Sequence, residues 1–177
     1  MPESMLGGGG QVSREFSIED YKMAVGSFVT GITVVTASGE EGPVGFTCQS
    51  FTSLSLDPPT ILISVAQTSR TLSTISSEKK FCVNILSTGS VRIAHDFAFM
   101  DPAVRFTMHS WNRSGTGNPV LEAALVWLDC ELVRSIEVED HLVAVGRVVS
   151  LGASEEGRDP LTYYRGDFGA FAQLNDE

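Results

Sequence analysis

The chain of 177 residues lacks the features that mark several large classes of protein. It has only 12 Lys and Arg against 22 Asp and Glu, and its formal net charge of −10 opposes contact with nucleic-acid phosphates. No apolar run approaches the roughly 20 residues that a membrane-spanning helix needs. The N-terminus shows no basic segment followed by an apolar one, so no secretion signal is predicted. We therefore expect a cytoplasmic protein that binds neither nucleic acid nor membrane.

Cysteine is scarce, and its spacing argues against further classes of site. Cys48, Cys82 and Cys130 form no C-x-x-C pair and no metal-binding pattern. An odd number of distant cysteines suits a reducing compartment. Cys82 and Cys130 lie in hydrophobic runs and are interpreted as small core residues, whereas a catalytic thiol stays open for Cys48. No G-x-G-x-x-G opens a βαβ unit, so no Rossmann site is predicted.

The segments that are present favour one globular domain over residues 15–172, preceded by a flexible leader at 1–14 and followed by a tail at 173–177. A helix is predicted over 18–28, and two more over 70–77 and 91–97. Strands are predicted at 32–37, 43–47, 60–66, 81–86, 125–133 and 141–151. Residues 101–117 are expected to be irregular, with His109 on the surface. Many short strands with few helices predict an antiparallel β-barrel with helices outside it.

The chain is organised around residues 45–72, which carry two hydroxyl-rich loops. The first loop ends at Asp57-Pro58-Pro59, because proline fixes φ and offers no donor to a strand ladder. The second follows a buried strand and precedes a helix that begins near Arg70. Backbone N–H groups, hydroxyls and a guanidinium are the groups that bind phosphate. An ordinary Ser/Thr helix cap beside a solvated arginine is the alternative reading.

Several motifs from about residue 16 to residue 168 are similar to one family. They are F-V-T-G-I-T-V-V-T at 28–36, G-F-T-C-Q-S-F-T-S-L-S-L-D-P-P at 45–59, S-R-T-L at 69–72, G-N-P-V-L at 117–121, D-H at 140–141 and L-T-Y-Y-R-G-D-F at 161–168. This set resembles the short-chain flavin reductases, the reductase components of two-component flavin-dependent monooxygenases. The chain departs from the family pattern at Cys48-Gln49, where Ala-Asn is usual, and at Glu139, where the family has glycine.

The resemblance implies a mainly β fold with helices, an antiparallel Greek-key split β-barrel of the flavin reductase-like, FMN-binding kind. It implies a homodimer with flavin near the interface. It further implies hydride transfer from NADH or NADPH to FAD or FMN, and release of reduced flavin to a partner monooxygenase in aromatic-compound or antibiotic metabolism. The sequence does not distinguish FAD from FMN as the flavin. The lack of an arginine cluster for a 2′-phosphate favours NADH over NADPH.

The resemblance also implies a set of cofactor-binding residues. The flavin phosphate is expected between the loop at 50–53 and the start of the helix at 70, and His141 is expected to orient the nicotinamide. The full set is Thr30, Thr33, Thr47, Cys48, Gln49, Ser50, Phe51, Ser53, Ala66, Ser69, Arg70, Thr71, Phe97, His141 and Arg165. The residues alone leave alternatives open: ordinary strand threonines for Thr30 and Thr33, a core side chain for Phe97, and a polar strand cap for His141.

Two other functions compete with the reductase. One is a non-catalytic flavin- or ligand-binding protein. The other is a split-barrel oxidase of the pyridoxamine-phosphate type, which would need a basic substrate pocket. The 12 Lys and Arg are scattered along the chain, and they do not predict such a pocket. Hydride transfer between cofactors needs no general base from the protein, which agrees with the lack of a recognisable triad or carboxylate pair.

Overall fold

The computed structural model describes residues 16–154 and 159–174, so the predicted leader at 1–14 and the last three residues of the tail lie outside the described part. The helices are α1 (Ile18–Gly26), α2 (Arg70–Glu78), α3 (Val91–Phe99) and α4 (Pro102–Met108). The strands are β1 (Thr30–Gly31), β2 (Thr33–Gly39), β3 (Gly42–Cys48), β4 (Thr52–Leu56), β5 (Pro59–Ala66), β6 (Lys80–Leu86), β7 (Trp111–Arg113), β8 (Pro119–Leu121), β9 (Ala124–Val138), β10 (His141–Ala153), β11 (Leu161–Tyr164) and β12 (Asp167–Ala170).

A seven-stranded antiparallel sheet forms the body of the fold, in the order β3-β2-β6-β9-β10-β5-β4. The long strands β9 and β10 form a hairpin at its centre. Two small antiparallel sheets, β1-β11-β12 and β7-β8, lie beside it. Neighbours such as β6 and β9, or β10 and β5, are distant in sequence, as in Greek-key connections. The predicted antiparallel split barrel is therefore confirmed.

Two apolar clusters stabilise the sheet, because alternate residues of a strand point to opposite faces. Val35 of β2 belongs to the larger cluster, which α2 joins through Leu72 and Ile75. Val34 belongs to the second cluster, which α3 joins through Ala94 and Phe97. Strand β2 is buried on both faces, which explains its nearly continuous run of β-branched residues. The start of α2 and the end of α3 both lie beside β3.

Three predicted segments differ from the structure. The first hydroxyl-rich loop is largely strand β4, which pairs with β5 after the turn at Asp57-Pro58. The segment expected to be irregular contains α4 and β7; the Asp101 side chain accepts a hydrogen bond from Ala103 N at 3.0 Å, and Pro102 occupies the first helical position. The first helix ends at Gly26, not at residue 28.

Candidate functional site

An inner pocket of about 440 Å³ lies between β3, the end of β5, the start of α2, and helices α3 and α4. Six of the predicted cofactor-binding residues line it: Thr47, Ala66, Ser69, Arg70, Thr71 and Phe97. These residues come from four separate elements, and the antiparallel topology brings the start of α2 alongside β3. The structure therefore brings the α2 half of the predicted phosphate site and Thr47 of the predicted ring contact around one cavity, whereas the loop at 50–53 lies outside it.

The N-terminus of α2 opens into this pocket without a side-chain cap. Ser69 occupies the cap position, but its hydroxyl makes no capping hydrogen bond. The N–H groups of a helix's first turn have no partner within the helix, and they carry a partial positive charge. Ser69 and Thr71 line the same wall. The side-chain cap that the alternative reading expects is therefore not formed, although Arg70 is exposed as that reading also expects. A helix start of this kind is suited to an anion.

Two arginines line the inner pocket, and they differ in how they are held. Arg70 is exposed, and its guanidinium makes no hydrogen bond or ion pair with any residue that the structure describes. Arg105 of α4 donates from Nε and Nη2 to the Met100 carbonyl at 2.9 and 2.7 Å, and from Nη1 to the Gly45 carbonyl at 2.7 Å. Partial burial lowers the pKa of Arg105 from its usual value, yet an arginine stays charged at neutral pH. Arg70 is thus free to bind a ligand, whereas Arg105 fixes α4 to β3.

The aromatic side chain of Phe97 forms part of the floor of the inner pocket. It is fully buried, with its ring edge-to-face on Phe106 at a centroid separation of 5.1 Å. A Cβ added at Gly45 would lie 3.0 Å from Phe97 Cε1 and 2.9 Å from the Val35 carbonyl. Glycine at position 45 therefore lets β3 pass close to the ring. The sequence alternative of a core side chain is correct for Phe97, although the residue also reaches the pocket wall.

His141 lies at the same end of the sheet as the inner pocket. It is the first residue of β10, where it pairs with Ala66 of β5. Its Nδ1 lies 2.7 Å from Asp140 Oδ1, and this hydrogen bond is the main reason why the pKa of the Asp140 carboxyl is below its usual value. The imidazole is about half exposed. The carboxylate therefore orients a ring that solvent and a ligand can still reach.

Four predicted residues, Thr33, Cys48, Ser50 and Phe51, have structural contacts away from the inner pocket. Thr33 Oγ1 donates to the Cys48 carbonyl at 2.9 Å. The Ser50 hydroxyl donates to the Ser64 carbonyl at 3.1 Å and accepts from Ser64 N at 2.8 Å. Phe51 packs against the larger apolar cluster. These contacts join β2, β3 and β5. Ser53, on strand β4, is exposed and also lies outside the pocket.

The Cys48 thiol is buried and lies 3.1 Å from the Ser50 hydroxyl. Burial raises the pKa of this thiol above its ordinary value. Since the thiolate is the reactive form of cysteine, the thiol is poorly suited to nucleophilic catalysis at neutral pH. The structure thus favours a packing role for Cys48 over the catalytic thiol that the sequence left open.

The three remaining predicted residues, Thr30, Gln49 and Arg165, line a separate cavity of about 970 Å³ beside α1. The Thr30 hydroxyl is buried and has no hydrogen-bond partner among the residues that the structure describes. Arg165 Nη2 donates to the Ser27 hydroxyl at 3.3 Å, and the guanidinium lies 5.2 Å from the centre of the Tyr164 ring. A buried hydroxyl without a partner is costly, so this cavity is suited to a further polar group. Within one chain, nine of the fifteen predicted residues are divided between these two cavities, and the other six line neither of them.

Sequence reasoning missed Arg105 and misplaced His109. His109 was expected on the surface, which is wrong: its side chain is 11% exposed, and Nε2 lies 2.9 Å from Asp96 Oδ2. This contact holds the end of α4 against α3. The aspartate-proline pair at 101–102 was a helix-start signal that could have placed α4, but no local pattern links Arg105 to the Gly45 carbonyl 60 residues away.

Within residues 16–154 and 159–174, no group of three or more His, Cys, Asp or Glu side chains could hold a metal ion. No helix in this part of the chain is long and apolar enough to cross a membrane.

A comparison with known protein families identifies the family of this chain. Residues 25–172 match the model of the flavin reductase like domain. The chain belongs to the flavin reductase family. This membership confirms the family that the sequence motifs resemble. Together with the fold, it identifies the protein as an oxidoreductase of that family.

Similar proteins bear names that agree with the family. The reductase subunit HsaB of a flavin-dependent monooxygenase from Rhodococcus jostii is 37% identical over 93% of this chain and 83% of its own length. The FMN reductase (NADH) SmoA from Agrobacterium fabrum is 36% identical over 93% of this chain and 90% of its own. The solved structure of the NADH:FAD oxidoreductase SgcE6 from Streptomyces globisporus has a TM-score of 0.82 and 31% identity, covering 90% of each chain.

Proposed function

We propose that this protein is an NAD(P)H:flavin oxidoreductase that acts in the cytoplasm, reduces FAD or FMN and releases the reduced flavin to a partner monooxygenase. One observation carries the proposal: in a flavin reductase fold, a free guanidinium and an uncapped helix N-terminus face one pocket. The reductase subunit HsaB, similar over most of its length, supports the monooxygenase partner.

The inner pocket suits the flavin phosphate and part of the ring system. Arg70, Ser69 and the first N–H groups of α2 would bind the phosphate, because charged donors and helix N-termini stabilise phosphate oxygens. Thr47 and Ala66 would lie beside the ring. When bound, the flavin supplies the chemistry of accepting a hydride from the nicotinamide and passing electrons onward. The protein needs no general base for this role.

His141 is proposed to orient the nicotinamide. Its backbone is paired with Ala66, which lines the inner pocket, and Asp140 fixes one nitrogen of its ring. The other ring nitrogen is left to contact a substrate. NADH is the proposed reductant, since SmoA and SgcE6 carry NADH in their names. Among the described residues that line the inner pocket, Arg70 and the tethered Arg105 are the only arginines, so they offer no cluster for a 2′-phosphate.

A second copy of the chain is proposed to cover the apolar surfaces near α1. This helix has no buried residue, although Ile18, Tyr21 and Val25 lie along it. The β9–β10 hairpin also exposes Ile136 near its turn and Leu151 near its open end. Exposed apolar area on this scale marks an interaction surface. A homodimer would bury it and close the cavity that Thr30, Gln49 and Arg165 line. Sedimentation velocity at several concentrations should give twice the chain mass of 19.0 kDa.

Turnover of free flavin tests the proposal against its two competitors. Purified protein mixed with NADH, air and catalytic FAD or FMN should consume NADH many-fold over the enzyme concentration without any organic substrate. A non-catalytic flavin-binding protein would consume none. An oxidase of the pyridoxamine-phosphate type would consume oxygen only with a phosphorylated amine. Either result would refute the reductase.

Release of the product needs its own experiment. The protein, NADH and flavin are placed under anaerobic conditions on one side of a dialysis membrane that passes flavin, and cytochrome c on the other. Cytochrome c should be reduced across the membrane. Reduction only on direct contact, or flavin retained through exhaustive dialysis, would refute release by diffusion.

A further inference from the structure

The inner pocket continues into a second space, here called the outer groove. The groove measures about 880 Å³ and lies between the β2–β3 hairpin, the outward face of α2 and the start of α4. Val44, Arg70 and Pro102 line both spaces and form the junction between them. A ligand that fills the inner pocket and extends past Arg70 therefore enters the groove.

The charge at the junction indicates what part of a ligand lies there. Arg70 has no ion-pair partner among the described residues, although the net charge of the chain is −10 and Glu78 lines the same groove. Arg105 is held on the inner side by the carbonyls of Gly45 and Met100. A free guanidinium where two cavities meet is suited to a phosphate or diphosphate that links two halves of one ligand.

The walls of the outer groove offer hydrogen-bond acceptors. Ser73 and Ser77 donate their hydroxyl protons to carbonyls of α2, at 2.8 and 3.0 Å, so their oxygens are left to accept. The carboxylates of Glu40, Glu41 and Glu78 accept no hydrogen bond from the residues that the structure describes. Such walls repel a further phosphate, but they can accept hydrogen bonds from an uncharged group that is rich in hydrogen-bond donors. A ribose with two hydroxyls and an adenine with its amino group are of that kind.

We propose that the outer groove binds the adenosine half of FAD, so that the protein selects FAD over FMN. The inference rests on the proposed function and specifies which flavin the same site takes. The inner pocket holds the flavin mononucleotide portion, Arg70 binds the diphosphate at the junction, and the adenosine lies between α2 and the β2–β3 hairpin. FMN fills the inner pocket only.

A bulky side chain in the groove tests the proposal. Ser77 is exposed on the last turn of α2, so Ser77→Trp fills the groove without touching the core or the inner pocket. Thr107→Trp adds the same bulk at an exposed position of α4 outside both spaces and is the matched control. A second variant, Glu40→Gln combined with Glu41→Gln and Glu78→Gln, weakens the acceptors without adding bulk. Melting temperatures establish that each variant is folded.

Equilibrium titration of FAD and FMN gives the decisive ratio. The unchanged protein should bind FAD at least about tenfold more tightly than FMN, a difference equal to about 1.4 kcal/mol. Ser77→Trp should remove this preference by weakening FAD alone, and the triple glutamine variant should reduce it. Thr107→Trp should keep both affinities, and the KM for NADH measured with FMN should stay constant in all variants.

Equal affinities for FAD and FMN in a protein that reduces both would overturn this inference and leave the reductase intact. A rise of the KM for NADH in Ser77→Trp with FMN as acceptor would also overturn it, because the groove would then hold the adenosine of NADH. Loss of FAD affinity in Thr107→Trp would show that the effect of bulk is not local to the groove. Binding of neither flavin would refute the proposed function and this inference together.

Discussion

Replacing Arg70 by alanine tests the phosphate-binding role most directly. Arg70→Ala removes the only guanidinium of the inner pocket that has no partner among the described residues, while the backbone N–H groups of α2 stay in place. A hydrogen bond to a charged group contributes about 1.5–3 kcal/mol. Because Arg70 is exposed, solvent screening favours the lower half of that range. A loss of about 1.5–2 kcal/mol corresponds to FMN binding that is weaker by roughly 10- to 30-fold.

The assay compares FMN with riboflavin, which has the same ring system and side chain but lacks the phosphate. Fluorescence titration should show the loss for FMN and almost no change for riboflavin. Arg147→Ala is the matched control: it changes the net charge by the same amount, and Arg147 lies exposed on β10 away from the inner pocket and the outer groove. It should leave both affinities within about twofold, since distant exposed charges are screened by salt.

An equal loss for FMN and riboflavin would refute the phosphate contact, because the mutation would then have disturbed the shape of the pocket. An equal loss of FMN affinity in Arg147→Ala would also refute it, because the effect would then come from the overall charge of the protein. The geometry is supported only if Arg70→Ala weakens the binding of FMN but not of riboflavin, and Arg147→Ala weakens neither.

Three further outcomes are expected. His141→Ala should raise the KM for NADH or lower kcat while flavin affinity stays constant, and unchanged kinetics for both substrates would return His141 to a structural role. Gly146→Ala should destabilise the fold by about 1–3 kcal/mol in urea denaturation, because a Cβ there would lie 2.5 Å from Phe81 Cζ; an unchanged midpoint would show that the core relaxes freely. Burial raises the pKa of the Cys130 thiol to about 12, so the unfolded chain loses this proton first, and the free energy of unfolding should fall as pH rises above about 9. Cys130→Ala should flatten that fall between pH 8 and pH 10, and an unchanged slope would contradict it.

The buried strands could be predicted from sequence because their burial is encoded locally. Strand β2 is buried on both faces, so its apolar and β-branched residues form one continuous run. Strand β4 was missed for the opposite reason. Leu54 and Leu56 are 54% and 90% exposed in this chain, and the segment reads as polar because neither face joins the core. Its strand character comes from pairing with β5, and a local pattern does not report that pairing.

The candidate site was predictable where one segment supplies it. Ser69, Arg70 and Thr71 are adjacent in sequence, and the helix that they begin presents its N-terminus to the pocket. Contacts between distant segments could not be predicted in this way. The Arg105 bond to the Gly45 carbonyl and the pairing of His109 with Asp96 each depend on how α4 packs. The division of Thr30 from Thr47 between two cavities likewise follows from tertiary structure alone.

The aromatic residues of the inner pocket connect its geometry with exchange of flavin. Its two aromatic lining residues are Phe46 and Phe97, and both pack into the apolar clusters. Since both rings pack into the clusters, the described residues that line the pocket offer aromatic contact on one side of a bound ring only. In the proposed site, flavin affinity would then depend largely on the contacts of the phosphate groups with Arg70 and the start of α2. We therefore expect such a site to orient a flavin and still release it, as the proposed role of flavin as a substrate requires.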